Sequence, residues 1–105
     1  MQEIDLDAFA AAHAAGGYVI DVREPDEYVD GHVPGARLMP LSRLGTLADD
    51  VPGGQPVYVI CASGNRSKAG AGLLAQRGHQ AYSVAGGTGG WAATGRPIVT
   101  GIHAR

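Results

Sequence analysis

Chemistry in this chain starts with Cys61, its only cysteine. A lone cysteine excludes an internal disulfide framework and any cysteine-built metal cluster within one chain, so Cys61 is either an inert core thiol or a chemical group. Its neighbours favour the second. The residue ends the β-branched run Val57-Tyr58-Val59-Ile60, and Ala62-Ser63-Gly64-Asn65-Arg66 then lead into a segment that reads as a helix from Ser67. In open parallel α/β sheets, ligands gather beyond the carboxyl ends of the strands, which is where this pattern puts the sulfur. So short a strand-to-helix turn, with Gly64 supplying unusual backbone angles, curls around the sulfur. Its amides and the first N–H groups of the helix then form a nest for an anion. The helix start, with Arg66 or Lys68, favours the thiolate, and cysteines at such sites fall from ~8.5 to about 3.5–7.5.

Several short elements must position that loop. Residues 2–4 suit an edge strand, and Asp5 suits the N-cap of a helix whose apolar face is Leu6, Phe9, Ala10 and His13, ended by Gly16-Gly17. Residues 18–22 read as a buried strand, 25–28 as one helical turn begun by proline, 31–35 as a loop, 36–38 as a brief strand and 40–47 as a short helix. A polar surface connection spans 49–56. Beyond the strand at 57–60, the spacing predicts a helix over 67–77 with Leu73 and Leu74 inward and Gly78 as its stop. Gly70 and Gly72 weaken that helix by roughly 1 kcal/mol each relative to alanine, which points to close packing on a sheet. Residues 82–84 give a last strand, 86–90 a tight glycine turn, and 91–94 a closing helical turn with Trp91 as a core anchor. Alternating strands and helices specify an α/β fold, a small parallel β-sheet with helices on both faces, as one domain over residues 1–105.

Composition agrees with that reading. The chain has 105 residues, 45% hydrophobic and 17% charged, which suits one small ordered domain. The longest apolar run, residues 57–62, is far too short for a membrane span, and the acidic start Met1-Gln2-Glu3-Ile4-Asp5 is unlike a signal peptide, so a cytoplasmic protein is expected. The net charge of −2 hides an asymmetry: ten acids and three arginines leave −7 up to position 50, and five bases without a carboxylate leave +5 beyond it. A pI near 6.0 with scattered bases argues against nucleic acid. The glycine run fits neither dinucleotide nor P-loop spacing, and no cofactor or metal is expected. His13, His79 and His103 suggest no site.

Two segments carry a family resemblance. Residues 21–36, from Asp21-Val22-Arg23 through Glu27-Tyr28 to Gly31-His32-Val33-Pro34-Gly35-Ala36, follow the pattern D-x-R-x-x-x-E-F/Y-x-x-G-H-I/V-P-G-A, and residues 61–67 follow C-x-x-G-x-R-S. With the later Gly86-Gly87-Thr88-Gly89-Gly90-Trp91, they make the chain resemble the rhodanese homology domain, of the single-domain thiosulfate sulfurtransferase type, over essentially its whole length. The resemblance implies that Cys61 takes a sulfane sulfur from thiosulfate or another persulfide donor and passes it, as a persulfide, to cyanide or a thiol. It implies that Ala62, Ser63, Gly64, Asn65, Arg66 and Ser67 bind substrate through loop amides and positive charge, with Ser67 also capping the helix. Asp21, Arg23, Glu27 and His32 are then supports of the site. Asp21 and Arg23 form an ion pair that ties their strand to neighbouring loops, Glu27 partners Arg23 or a loop amide, and His32 fixes its loop by hydrogen bonds.

The implied partners are a small sulfur-containing anion or thiol and a protein sulfur donor or acceptor, with no nucleic acid and no membrane. A non-enzymatic sulfur-relay or regulatory module that carries persulfide for a partner protein is the alternative. Tyrosine-phosphatase-like enzymes have one residue more between cysteine and arginine, and the shorter loop here makes a tighter cradle that suits sulfur better than phosphate. Ala62 stands where several sulfurtransferases carry a basic side chain, so less fixed charge holds thiosulfate and the donor stays open. No resolving cysteine is present for a redox sensor, so any disulfide would be intermolecular.

Overall fold

Short β-branched runs hide both of their faces only when helices cover the sheet on each side. The computed structural model, which describes all 105 residues, shows that arrangement. Strands β1 (Gln2–Ile4), β2 (Tyr18–Asp21), β3 (Arg37–Leu38), β4 (Val57–Ile60) and β5 (Ala81–Val84) form one sheet in the order β1-β5-β4-β2-β3, every adjacent pair parallel. Helices α1 (Leu6–Ala14), α2 (Pro25–Asp30), α3 (Leu41–Leu47), α4 (Asn65–Gln76) and α5 (Gly87–Ala93) connect or follow them, with a 3-10 turn at Ala48–Asp50. None of them is long and apolar enough to cross a membrane. The expected α/β architecture is the observed one.

Side-chain alternation divides the core between the two faces. Ile20, Val57 and Val59 pack on one face with Leu44 of α3 and with Ala71 and Leu74 of α4. Val19, Ile60 and Val84 pack on the other with Phe9 of α1 and Trp91 of α5. Trp91 meets Phe9 edge-on at 5.3 Å and donates its indole N–H to Pro97 O at 2.7 Å, the core anchor its position suggested.

Strand order fixes where a ligand can sit. The chain leaves β2 toward β3 on one side and leaves β4 toward β5 on the other, so the two connections diverge and open a crevice above the β2–β4 pair. Cys61 lies there, one residue past Ile60.

His32 is fully buried beside the crevice, stacked on Tyr28 at 3.7 Å. Its Nδ1 lies 2.8 Å from Tyr28 O and its Nε2 2.8 Å from His103 O, while its backbone bridges Val99. Those bonds hold the loop after α2 against the C-terminal segment.

Three local readings change. Helix α4 starts at Asn65 instead of Ser67, because Gly64 makes the turn with φ +113°. Residues 86–90 do not form a tight turn; Gly86 precedes α5, which runs from Gly87. Gly87 presses so closely on the Cys61 loop that a Cβ there would lie 2.5 Å from Cys61 O. Gly70 behaves as expected, since a Cβ would sit 3.2 Å from methyl carbons of Val22 and Val59, but Gly72 faces open space, so packing does not explain it.

Gly72→Ala is expected to raise the free energy of unfolding by about 0.5–1 kcal/mol through helix propensity alone. Gly70→Ala, crowded by two valines, should gain less or lose stability. Urea unfolding of both variants checks the order, and equal gains would show that the sheet accommodates the extra methyl freely.

Candidate active site

The sulfur of Cys61 is held from three directions. Val22 N donates to Ile60 O at 3.0 Å, which fixes the end of β4 against the segment after β2. Gly64 N turns back and donates to Cys61 Sγ at 3.1 Å. The first turn of α4 then brings Ser67 Oγ to 3.4 Å from Sγ. From behind, Thr88 N donates to Cys61 O at 2.8 Å and Gly89 N to Ala62 O at 3.0 Å, so the start of α5 fastens the loop to the sheet.

Ser67 has one proton and three neighbours: Sγ, Gly64 O at 3.1 Å and Ser83 Oγ at 2.8 Å. With Cys61 as a thiol, S–H donates to Ser67 Oγ and the serine gives its own proton to Gly64 O or Ser83. With a thiolate, the Ser67 hydroxyl turns to the sulfur and the Ser83 hydroxyl donates to Ser67. Cys61 is only 1% exposed. Burial pushes its thiol up, and the Ser67 hydroxyl with the amides of Ser67, Gly64 and Ser63 outweighs that push, leaving it below the ordinary value of 9.0.

The charged residues are arranged differently from the sequence reading. Arg66 does not offer a free charge to the site: Nη1 donates to Glu27 Oε1 at 2.7 Å and Nη2 to Oε2 at 2.8 Å. Glu27 therefore partners neither Arg23 nor a loop amide; its second bond is from Glu24 N, at 3.1 Å, in the first turn of α2. Hydrogen bonding to Arg66, opposed by some burial, holds the Glu27 carboxyl down at about 2, and the same pairing raises Arg66. Lys68 points to Glu3, 3.6 Å away at the sheet edge. Nor does Ser67 cap the helix; it is the third residue of α4 and serves the sulfur.

Asp21 and Arg23 form a buried pair, Nη2 to Oδ2 at 2.8 Å, and the same Nη2 donates to Gly31 O at 2.7 Å. The pair ties the end of β2 to the loop that carries His32. Asn65 is exposed at the start of α4, and Ala62 lines a groove of about 320 Å³ beside the loop. Ser83 and Thr88 escaped the sequence reading. Nothing local marks Ser83, whereas the glycine run before Trp91 was a signal for a close approach by α5.

Comparison with known proteins agrees with the fold. The family profile described as a rhodanese-like domain matches residues 5–94. The uncharacterized protein YqhL of Bacillus subtilis (strain 168) is 39% identical over 74 residues, covering 70% of this chain and 59% of that protein, so the chain spans well under two thirds of this relative. Among solved structures, a rhodanese-related protein from Thermoplasma volcanium is 32% identical, with a TM-score of 0.89 over 96% of this chain and 100% of its own. A rhodanese-like domain protein from Staphylococcus aureus is 27% identical, with a TM-score of 0.80 over 87% of this chain and 91% of its own.

Two measurements test the electrostatics. Ser67→Ala should move the pH dependence of Cys61 alkylation upward, because the sulfur loses its hydroxyl donor; an unchanged profile would leave the amides alone responsible. Arg66→Met should return the Glu27 carboxyl from about 2 toward 4.5, as read by carboxyl NMR titration. A depressed carboxyl stabilises the fold above its unfolded value, so the pairing acts fully above about 4.5 and is lost as the pH falls toward 2. With side chains 39% and 32% exposed, water screens the pair and its stability effect is small, ~0–1 kcal/mol.

Proposed function

Because this chain belongs to the rhodanese-like domain family, we propose that it is a sulfurtransferase that carries a sulfane sulfur as a persulfide on Cys61. The observation that carries the reading is the convergence of Gly64 N–H, the neighbouring loop amides and the Ser67 hydroxyl on one buried sulfur. Such a sulfur is a nucleophile without a general base.

The thiolate attacks the terminal sulfur of the donor. A new S–S bond forms at Cys61, the donor's S–S bond breaks, and the electron pair leaves with sulfite when the donor is thiosulfate. In the second half-reaction, cyanide or a thiolate attacks the outer persulfide sulfur. Thiocyanate or a new persulfide departs, and the Cys61 thiolate is restored. Donor leaves before acceptor binds, so the kinetics are ping-pong. The loop amides stabilise negative charge in both halves, as an oxyanion hole does. A reactive thiol with no disulfide partner suits a reducing, cytoplasmic compartment.

One observation favours a second reading. With Ala62 in place of a basic residue and Arg66 held by Glu27, small anions find little side-chain charge at the loop, which suits a relay that takes and delivers sulfur between protein thiols.

Incubation with thiosulfate or an aryl thiosulfonate should add the mass of one sulfur atom to Cys61, and added cyanide should remove it as thiocyanate. Cys61→Ala should lose at least ~1,000-fold in turnover. Retained turnover in that variant overturns the proposal; persulfide that only a protein thiol discharges selects the relay.

A further inference from the structure

Thiosulfate is a dianion and its leaving group is sulfite, so a site built for it should hold a free cation near the sulfur. This site does not. Both terminal nitrogens of Arg66 are bound to Glu27. Arg23, in the groove beside the loop, is occupied by Asp21 and Gly31 O. Lys68 faces Glu3. The groove itself, about 320 Å³, is lined by Glu27 and Asp30, by the Asp21-paired Arg23, and by small or apolar residues that include Ala62, Ala92 and Ile98.

We propose that Glu27 is the residue that sets donor choice: by engaging both terminal nitrogens of Arg66 it disfavours dianionic donors such as thiosulfate and leaves the site to singly charged sulfane donors on an apolar carrier. The inference rests on the sulfurtransferase reading above and sharpens it to a substrate class. Glu27 is a positioning residue, acting through Arg66. Its carboxyl, held down at about 2, stays ionised at neutral pH, so the pairing with the guanidinium persists there. A dianion has to compete with a bidentate intramolecular carboxylate for the Arg66 guanidinium. A monoanionic aryl thiosulfonate needs no such exchange. The thiolate attacks its terminal sulfur, the S–S bond to the sulfonyl sulfur breaks, and the electron pair leaves with the sulfinate while the aryl group rests against the apolar residues that line the groove, Ala62, Ala92 and Ile98.

The test compares thiosulfate with benzenethiosulfonate, following sulfur addition to Cys61 by mass spectrometry in single turnovers. Wild type should prefer benzenethiosulfonate by more than free cysteine thiolate does in solution, and a preference equal to or below that of free cysteine overturns the inference without needing a variant. Glu27→Gln should raise kcat/KM for thiosulfate relative to benzenethiosulfonate by about tenfold, the scale of one released charged hydrogen bond, mainly through KM. Glu27→Asp, which keeps the charge, should stay near the wild-type ratio. The gain should vanish when Glu27→Gln is combined with Arg66→Gln. An unchanged ratio, an equal loss with both donors, or a gain that survives without Arg66 overturns the role of Glu27 while leaving sulfur transfer intact. Wild type that accepts sulfur from no donor overturns both.

Discussion

Burial disfavours an ionised thiol, and the structure around Cys61 is organised against that penalty. A sulfur that is 1% exposed receives no water to solvate its charge, so donors must come from the chain. Backbone amides and the Ser67 hydroxyl can be brought to it with no charge of their own to bury. Aligning them requires a strand that stops at Ile60, a left-handed glycine at position 64 and a helix that begins at once. It also requires something to keep the loop from relaxing. Thr88 N and Gly89 N supply that by tying the carbonyls of Cys61 and Ala62 to α5, and the approach is close enough that Gly87 has no room for a side chain.

Charge that is separated along the chain is paired in space. Three ion pairs join the acidic first half to the basic second half: Glu27 with Arg66, Glu3 with Lys68 and Asp7 with Arg96. A carboxylate-free stretch around Cys61 in sequence is therefore not a carboxylate-free surrounding in space. What reaches the sulfur is oriented dipoles, which act over a few ångströms and are insulated from salt by burial, whereas the formal charges cancel in pairs at the rim. The buried Asp21–Arg23 pair belongs to the scaffold: its hydrogen bonds end on each other and on Gly31 O, and none points at the sulfur.

This division separates what was legible in the sequence from what was not. Strand β4, the cysteine at its end and the turning role of Gly64 follow from local periodicity and from the backbone freedom of glycine, and so does the parallel α/β class. The start of α4 was misplaced because Ser67 has the composition of a cap, yet here its hydroxyl is committed to Sγ, Gly64 O and Ser83. Residues 86–90 looked like a turn because glycine is a poor helix former; tertiary packing against the loop carbonyls overrode propensity. The partner of Arg66 lies 39 residues away in sequence, and no local pattern distinguishes a guanidinium free to bind substrate from one already engaged. Family motifs placed Glu27 near the site but suggested Arg23 or a loop amide as its partner, where the structure gives Arg66.

A fixed cradle has a particular merit for a carrier of sulfur. In the proposed transfer both half-reactions pass through charge on sulfur at nearly the same place: on Cys61 Sγ before transfer and after discharge, and on the outer persulfide sulfur, about 2 Å further out, in between. Charged side chains could follow that movement only by changing rotamer, at a cost in ordering each time. Amides that converge on Cys61 from Ser63, Gly64 and Ser67 are already oriented by the fold, so the proposed transfer starts and ends without reorganising them. The Ser67–Ser83 pair completes the arrangement, because a hydroxyl can reverse its donor direction by rotating one bond. A thiol and a thiolate can thus occupy the same rigid loop, with the proton of Ser67 as the part that moves.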